Sequence, residues 1–144
     1  MSSLNMPKLK EMVHYIAAQI DEAHLGEIKL NKILWFSDRE AYLKLGHTIS
    51  GGQYIRMPRG PVAASLNAAL FSLQNDGLLT TSSVFNGEYA KDTFHVLKPA
   101  KCKTLLKEEK QILDAQIQRL KSLTAQEVSE LSHDAILAAE KICL

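Results

Sequence analysis

Apolar residues recur at helical spacing along the first 45 residues, and this periodicity restricts the fold more than any other feature of the chain. The first periodic stretch predicts a helix over residues 7–24, with Pro7 in its first turn, where a backbone N–H is not needed. The second stretch predicts a helix over residues 27–45. Trp35 and Phe36 widen its apolar side, so we expect this helix to be central.

The middle of the chain alternates between turn formers and β-rich runs. Residues 48–61 hold three glycines and two prolines, which predicts a loop with one edge strand at residues 53–57. We expect a third helix from Pro61 or Val62 to Asp76. Residues 78–85 and 88–97 flank Asn86-Gly87, a pair that favours the type I′ turn of a β-hairpin.

The last third of the chain predicts two further helices, over residues 106–122 and 124–141. Thr124 and Glu127 have the spacing of a capping box at the start of the last one. The predicted fold class is therefore α+β and mainly α-helical. It has three helices, a β-hairpin in winged-helix-like order and then two C-terminal helices, in a single domain over residues 1–144.

The composition of the chain excludes several classes of protein. The 144 residues suit one domain, and the formal net charge of +1 gives no overall charge excess for nucleic acid. The start of the chain does not resemble a secretory signal, and the longest bulky apolar run, Ile33–Phe36, is far too short for a membrane span. We therefore expect a soluble, cytoplasmic protein without a membrane partner.

The motifs of common enzymes and metal sites are missing. The sequence has no phosphate-binding glycine loop, no nucleophile elbow and no His-Glu-x-x-His pair. Cys102 and Cys143 are far apart, and the five histidines share no metal-ligand spacing. We therefore expect a protein that is not an enzyme and that has no cofactor and no bound metal.

Charge is distributed unevenly in one segment. No acidic residue occurs from Ala41 to Asn75, whereas Lys44, His47, Arg56 and Arg59 all lie there. This pattern predicts a small basic surface for an acidic partner or a phosphate. The alternative is that a stretch of low charge lacks acids by chance.

The order of three helices and a hairpin is also that of a winged helix, so DNA binding is the competing function. In such a module the third helix enters the major groove and normally brings Arg or Lys to bases and phosphates. Here residues 61–76 contain no Lys or Arg, which argues against DNA as a partner.

Several spaced segments resemble one known family, the Panacea domain, also called the SocA-like antitoxin domain. Residues 29–38, KLNKILWFSD, resemble its K-L-x-K-L-L-Y-Y-A-D helix, and the similarity continues through residues 45–54. Residues 57–62, MPRGPV, resemble its M-x-x-G-P-V signature, and residues 130–133 resemble its L-S-x-x-S/T-H segment. The resemblance spans about residues 7–138.

The resemblance implies a type II antitoxin that neutralises a cognate toxin, encoded beside it, by direct protein–protein contact. Such domains are common in prophages and mobile elements. SocA itself acts as a proteolytic adaptor that delivers its toxin to the ClpXP protease, so the resemblance implies ClpXP as a second partner.

The Gly60-Pro61 segment suggests where a partner binds. Pro61 fixes φ and can open the third helix, and Gly60 permits a positive φ and close backbone approach. Such a rigid turn would hold an ordered loop beside the second helix, and Arg and Tyr are typical interface anchors. The predicted partner-binding residues are His47, Tyr54, Arg56, Met57 and Arg59. The alternative is that Tyr54 lies in the core and the arginines are merely solvated.

Gly60 and Pro61 are predicted structural residues, together with three other side chains. Trp35 is interpreted as a core anchor, with a ligand platform as the alternative. Asp38 is expected at the solvated edge of the second helix, or else as a buried polar anchor. His133 is interpreted as a hydrogen-bonded packing residue, with a functional role as the alternative.

Overall fold

The computed structural model of the chain describes residues 3–86, 89–124 and 127. This part of the chain contains four α-helices and two antiparallel sheets of two strands each. In chain order they are α1 (Met6–Gln19), α2 (Glu27–Leu45), β1 (Tyr54–Met57), β2 (Gly60–Ala63), α3 (Leu66–Asn75), β3 (Leu79–Asn86), β4 (Tyr89–Val96) and α4 (Lys107–Leu120). The predicted α+β class is confirmed.

The first helix begins one residue before its predicted start and ends earlier than predicted. Asn5 caps α1 by accepting the backbone N–H of Lys8 at 3.1 Å. The helix stops at Gln19 because Ile20 takes up an extended backbone, which places its side chain in the core, and a single 3₁₀ turn follows at Glu22–His24. A helix running on to residue 24 was therefore wrong.

The second helix has its predicted bounds and its predicted central position. It ends at Gly46, whose φ of +82° is the left-handed conformation typical of the residue after a helix. It packs against α1, α4, β2 and β4. Its core-facing apolar side chains are all at most 1% exposed: Leu30, Ile33, Leu34, Phe36 and Ala41.

The start of the third helix was predicted wrongly. Residues 60–63 form β2, which pairs with β1 in a tight hairpin, with Met57 opposite Gly60. The helix α3 begins only at Leu66. Pairing with β1 holds residues 60–63 extended, and the backbone N–H of Ala63 also donates to Asn31 Oδ1 of α2 at 2.9 Å.

The second hairpin is confirmed, with its strand ends displaced by one residue. β3 continues to Asn86, which pairs with Tyr89 at the start of β4. Residues 87 and 88 lie outside the described part of the chain. The hairpin is joined to α1 through His14, whose Nε2–H donates to the Lys98 carbonyl at 2.8 Å, just after β4.

The C-terminal part is described up to the start of the last predicted helix. The predicted helix over residues 106–122 is α4, at Lys107–Leu120. The capping box is present, because Thr124 Oγ1 accepts the N–H of Glu127 and Glu127 Oε1 accepts the N–H of Thr124, both at 3.2 Å. The remainder of the predicted last helix, with His133, lies outside the described residues. The described chain thus has four helices rather than the predicted five.

None of the helices in the described part of the chain is both long enough and apolar enough to cross a membrane.

Candidate partner-binding site

A buried carboxylate fixes the loop between α2 and β1. Asp38 is 2% exposed, and its Oδ1 accepts the backbone N–H groups of Ile49 and Ser50 at 2.8 and 2.9 Å. Its Oδ2 accepts the Ser50 hydroxyl and the Tyr54 hydroxyl, both at 2.6 Å. The expectation of a solvated edge was wrong for Asp38, and the alternative of a buried polar anchor is confirmed.

The electrostatics of this cluster keep the Tyr54 hydroxyl protonated, so that it can donate its hydrogen bond to Asp38. Burial raises the pKa of Asp38, and the hydrogen bonds from Ser50 and Tyr54 oppose that rise. Burial, together with the neighbouring Asp38 charge, raises the pKa of Tyr54 well above its usual value. The Tyr54 hydroxyl therefore remains protonated at neutral pH and faces Asp38.

The same loop is held from its other side by the N-terminal segment. The backbone N–H of Asn5 donates to the Ser50 carbonyl at 2.7 Å. Gly51 has a φ of +68°, and a Cβ there would clash with the Ser3 carbonyl oxygen. The position at which β1 begins is thus determined by contacts on both sides of the loop.

Four of the five predicted partner-binding residues lie on the β1–β2 hairpin, and three of them cluster at its turn. Arg56, Met57 and Arg59 are exposed around its turn, and Met57 is 48% exposed. Tyr54 lies at the inner end of β1, with its hydroxyl on Asp38. His47 is exposed near the end of α2, with Nδ1 3.1 Å from the Thr48 carbonyl oxygen. The hairpin turn, rather than the whole loop, brings predicted contact residues together.

The predicted structural residues are placed as follows. Gly60 is buried with a φ of +117°, in agreement with the prediction that this position needs a positive φ. Pro61 is buried in β2 opposite Arg56 and does not open a helix, which corrects that prediction. Trp35 packs on the core, with its ring edge-on to Phe36 at a centroid distance of 5.0 Å.

A cavity of about 340 Å³ lies between the beginning of α2 and the hairpin. Sequence reasoning missed it, because its two walls are separated along the chain by the whole of α2 and the following loop. Its lining includes Ile28, Asn31 and Lys32 from α2 and Met57, Pro58 and Pro61 from the hairpin.

Lys32 is the charged group buried beside this cavity. Its side chain is 1% exposed, and Nζ donates to the carbonyl oxygen of Arg59 in the hairpin turn. Burial lowers the pKa of Lys32 from 10.5 to about 8. The turn is therefore bound to α2 through its main chain, while the Arg59 side chain remains exposed.

A known protein family matches the part of the chain that contains this site. A family model described as "Antitoxin SocA-like, Panacea domain" matches residues 30–136. The chain belongs to this antitoxin family. The match begins inside α2, so the Panacea domain includes Lys32, Asp38 and the β1–β2 hairpin. No curated protein and no solved structure matches the chain. Membership gives the chain a role related to toxin–antitoxin systems, with a toxin as its partner in general.

Proposed function

We propose that this chain is a non-catalytic antitoxin that neutralises a cognate toxin by direct contact, through the exposed turn of the β1–β2 hairpin. The observation that carries the proposal is the way in which this hairpin is attached to α2. It is bonded to α2 through the Tyr54 hydroxyl, the Arg59 carbonyl and the Ala63 N–H, while the side chains of Arg56, Met57 and Arg59 are exposed around its turn.

This attachment supports recognition because it orders the hairpin before a partner binds. Three bonds tie it to α2: the Tyr54 hydroxyl to Asp38, the Arg59 carbonyl to Lys32 and the Ala63 N–H to Asn31. A surface that is already ordered loses less conformational entropy on binding. Its exposed residues can therefore contribute more of their interaction energy to affinity.

The chemistry of the exposed residues in β1 and the hairpin turn suits a protein partner with acidic and apolar groups. Arginine and methionine are enriched in protein interfaces, and here two arginines lie beside Met57 and Ile55, which are 48% and 52% exposed. Residues 41–75 contain no acidic side chain, so the segment that carries the hairpin is basic. Complementary charge would speed association and orient the partner.

Co-expression with the product of the neighbouring gene tests the proposal. Replacing both Arg56 and Arg59 by Glu should weaken the complex at least about tenfold, because attraction becomes repulsion. Lys101→Glu with Lys103→Glu is the matched control, since both lysines are exposed and outside the hairpin. If no complex forms with the neighbouring product, or the hairpin variant binds as tightly as the control, the proposal is wrong.

The mode of neutralisation needs its own experiment. Direct inhibition predicts that the toxin persists at an unchanged half-life in the presence of this protein. The adaptor mode implied by the resemblance predicts rapid toxin loss that depends on the ClpXP protease. Toxin half-life in cells with and without ClpXP separates the two.

DNA binding is the alternative that the element order favours, since α1, α2 and α3 precede the β3–β4 hairpin. The helix α3, Leu66–Asn75, contains no Lys or Arg to contact phosphates or bases. We expect no shift of the protein's own promoter DNA in a gel assay. Binding that weakens steeply with added salt would favour the alternative.

A further inference from the structure

The cavity between α2 and the β1–β2 hairpin has the size and lining of a ligand site. Its volume of about 340 Å³ lies within the range of pockets that hold small groups. Ile28, Met57, Pro58, Pro61 and Val62 make its lining largely apolar. Such a lining suits an aliphatic or aromatic side chain.

Lys32 supplies this apolar site with a cation that has unused hydrogen-bonding capacity. An ammonium group has three N–H donors, and the Arg59 carbonyl accepts one of them. With the carboxylates in the described part of the chain Lys32 forms no ion pair. A buried charge without a counter-ion is costly, and a bound anion would offset that cost.

Lys29, on the same helix, shows that burial of a lysine here does not by itself make a site. It is 6% exposed, and its Nζ donates to the Lys121 carbonyl at the end of α4, at 3.2 Å. Carbonyls at a helix C-terminus attract cations. Lys29 therefore has a structural explanation, and it does not line the cavity.

The charges of the lining restrict the anion to a single negative charge. Two further charged residues line the cavity, Glu27 at the start of α2 and Arg59 in the hairpin turn, so with Lys32 the lining carries a net charge of +1. A carboxylate balances this charge, whereas a phosphate with nearly two negative charges exceeds it. We infer that the cavity binds an apolar side chain accompanied by a carboxylate, presented by the protein partner, with the carboxylate on Lys32. The origin of this group in a toxin rests on the proposed function, whereas the binding chemistry of the cavity does not.

N-acetyl-leucine and N-acetyl-leucinamide are the probes, because they differ only in the carboxylate. Each is titrated into the ¹⁵N-labelled full chain and followed by NMR. From the usual affinity per atom of small ligands, we expect the acid to bind with a millimolar Kd. The shifts should be confined to the first turns of α2 and to the hairpin, and the amide should bind at least fivefold more weakly.

Two variants and one control connect the binding to Lys32. Lys32→Met should remove the preference for the acid over the amide, while Lys29→Met should keep it. Met57→Glu, at an exposed position on the cavity, should weaken binding of the acid more than of the amide by repulsion. This variant still tests the site if Lys32→Met does not fold. Equal binding of acid and amide to the wild type, or shifts elsewhere, would overturn the inference.

The toxin complex supplies the last test. Lys32→Met should weaken toxin binding at least tenfold relative to Lys29→Met. Unchanged toxin affinity in Lys32→Met would overturn the assignment of the occupant to the partner. If no toxin complex forms at all, the proposed function fails, and the probe titration still decides whether the cavity binds a carboxylate.

Discussion

Methionine in place of Lys32 is expected to make the protein more stable near neutral pH. In the folded state burial lowers the pKa of Lys32 from 10.5 to about 8. Since one pKa unit corresponds to about 1.4 kcal/mol, the charged lysine costs the folded state about 3 kcal/mol. Methionine has a similar length, fits an apolar cavity wall and carries no charge.

The pH dependence of this effect has a definite sign. Because the pKa of Lys32 is lower in the folded state, the unfolded chain binds more protons between about pH 8 and pH 10.5. The stability that depends on Lys32 therefore rises with pH across this window. Near neutral pH the full cost is present, and loss of the bond to the Arg59 carbonyl returns about 1 kcal/mol of it. The expected net gain for Lys32→Met is about 2 kcal/mol.

Urea unfolding of the wild type and Lys32→Met, at about pH 7 and about pH 9.5, measures both the gain and its pH dependence. The advantage of the variant should shrink by about 2 kcal/mol at the higher pH, because there the wild-type lysine is already neutral in the folded state. A variant that is less stable than the wild type at both pH values, by the same amount, would refute this reasoning.

Three further substitutions test other parts of the structure by urea or thermal unfolding. Asp38→Asn should lower the free energy of unfolding by about 2–4 kcal/mol, because its amide nitrogen cannot accept the two hydroxyl donors; a loss under about 1 kcal/mol would contradict this. Gly51→Ala should cost at least about 1 kcal/mol more than Gly46→Ala. Both glycines have a positive φ, but a Cβ meets a backbone oxygen only at Gly51, so equal losses would disprove the clash. Glu109→Gln should lower the free energy of unfolding by about 2–3 kcal/mol, since the fully buried Glu109 pairs with Lys8 at 2.8 Å. A variant as stable as the wild type would show that this ion pair does not stabilise the fold.

Features that depend on neighbours in the sequence could be predicted. The bounds of α2 follow from apolar periodicity and from Gly46, which ends the helix. The β3–β4 hairpin follows from β-rich runs around Asn86, and the capping box from the spacing of Thr124 and Glu127. In each case a hydrogen bond or strand pair at the end of the element joins residues only three or four positions apart.

Features that depend on distant partners could not be predicted. Residues 60–63 have the composition of a helix start, but Asn31 binds the Ala63 N–H and β1 pairs with β2. Asp38 looks like a surface residue because its four donors lie beyond the end of its helix. The cavity at Lys32 needs α2 and the hairpin in contact, which no local pattern reports.

The groups that hold the β1–β2 hairpin are largely main-chain atoms, and this has a consequence for how specificity can change. Lys32 binds the carbonyl of Arg59, and Asn31 binds the N–H of Ala63, so neither contact depends on the side chain at the position that is bound. These two bonds can therefore persist when the side chains at residues 56, 57 and 59 are exchanged. The bonds that attach the hairpin to α2 are thus separate from the exposed side chains of its turn, so a few substitutions at exposed positions can change the partner while these bonds are kept.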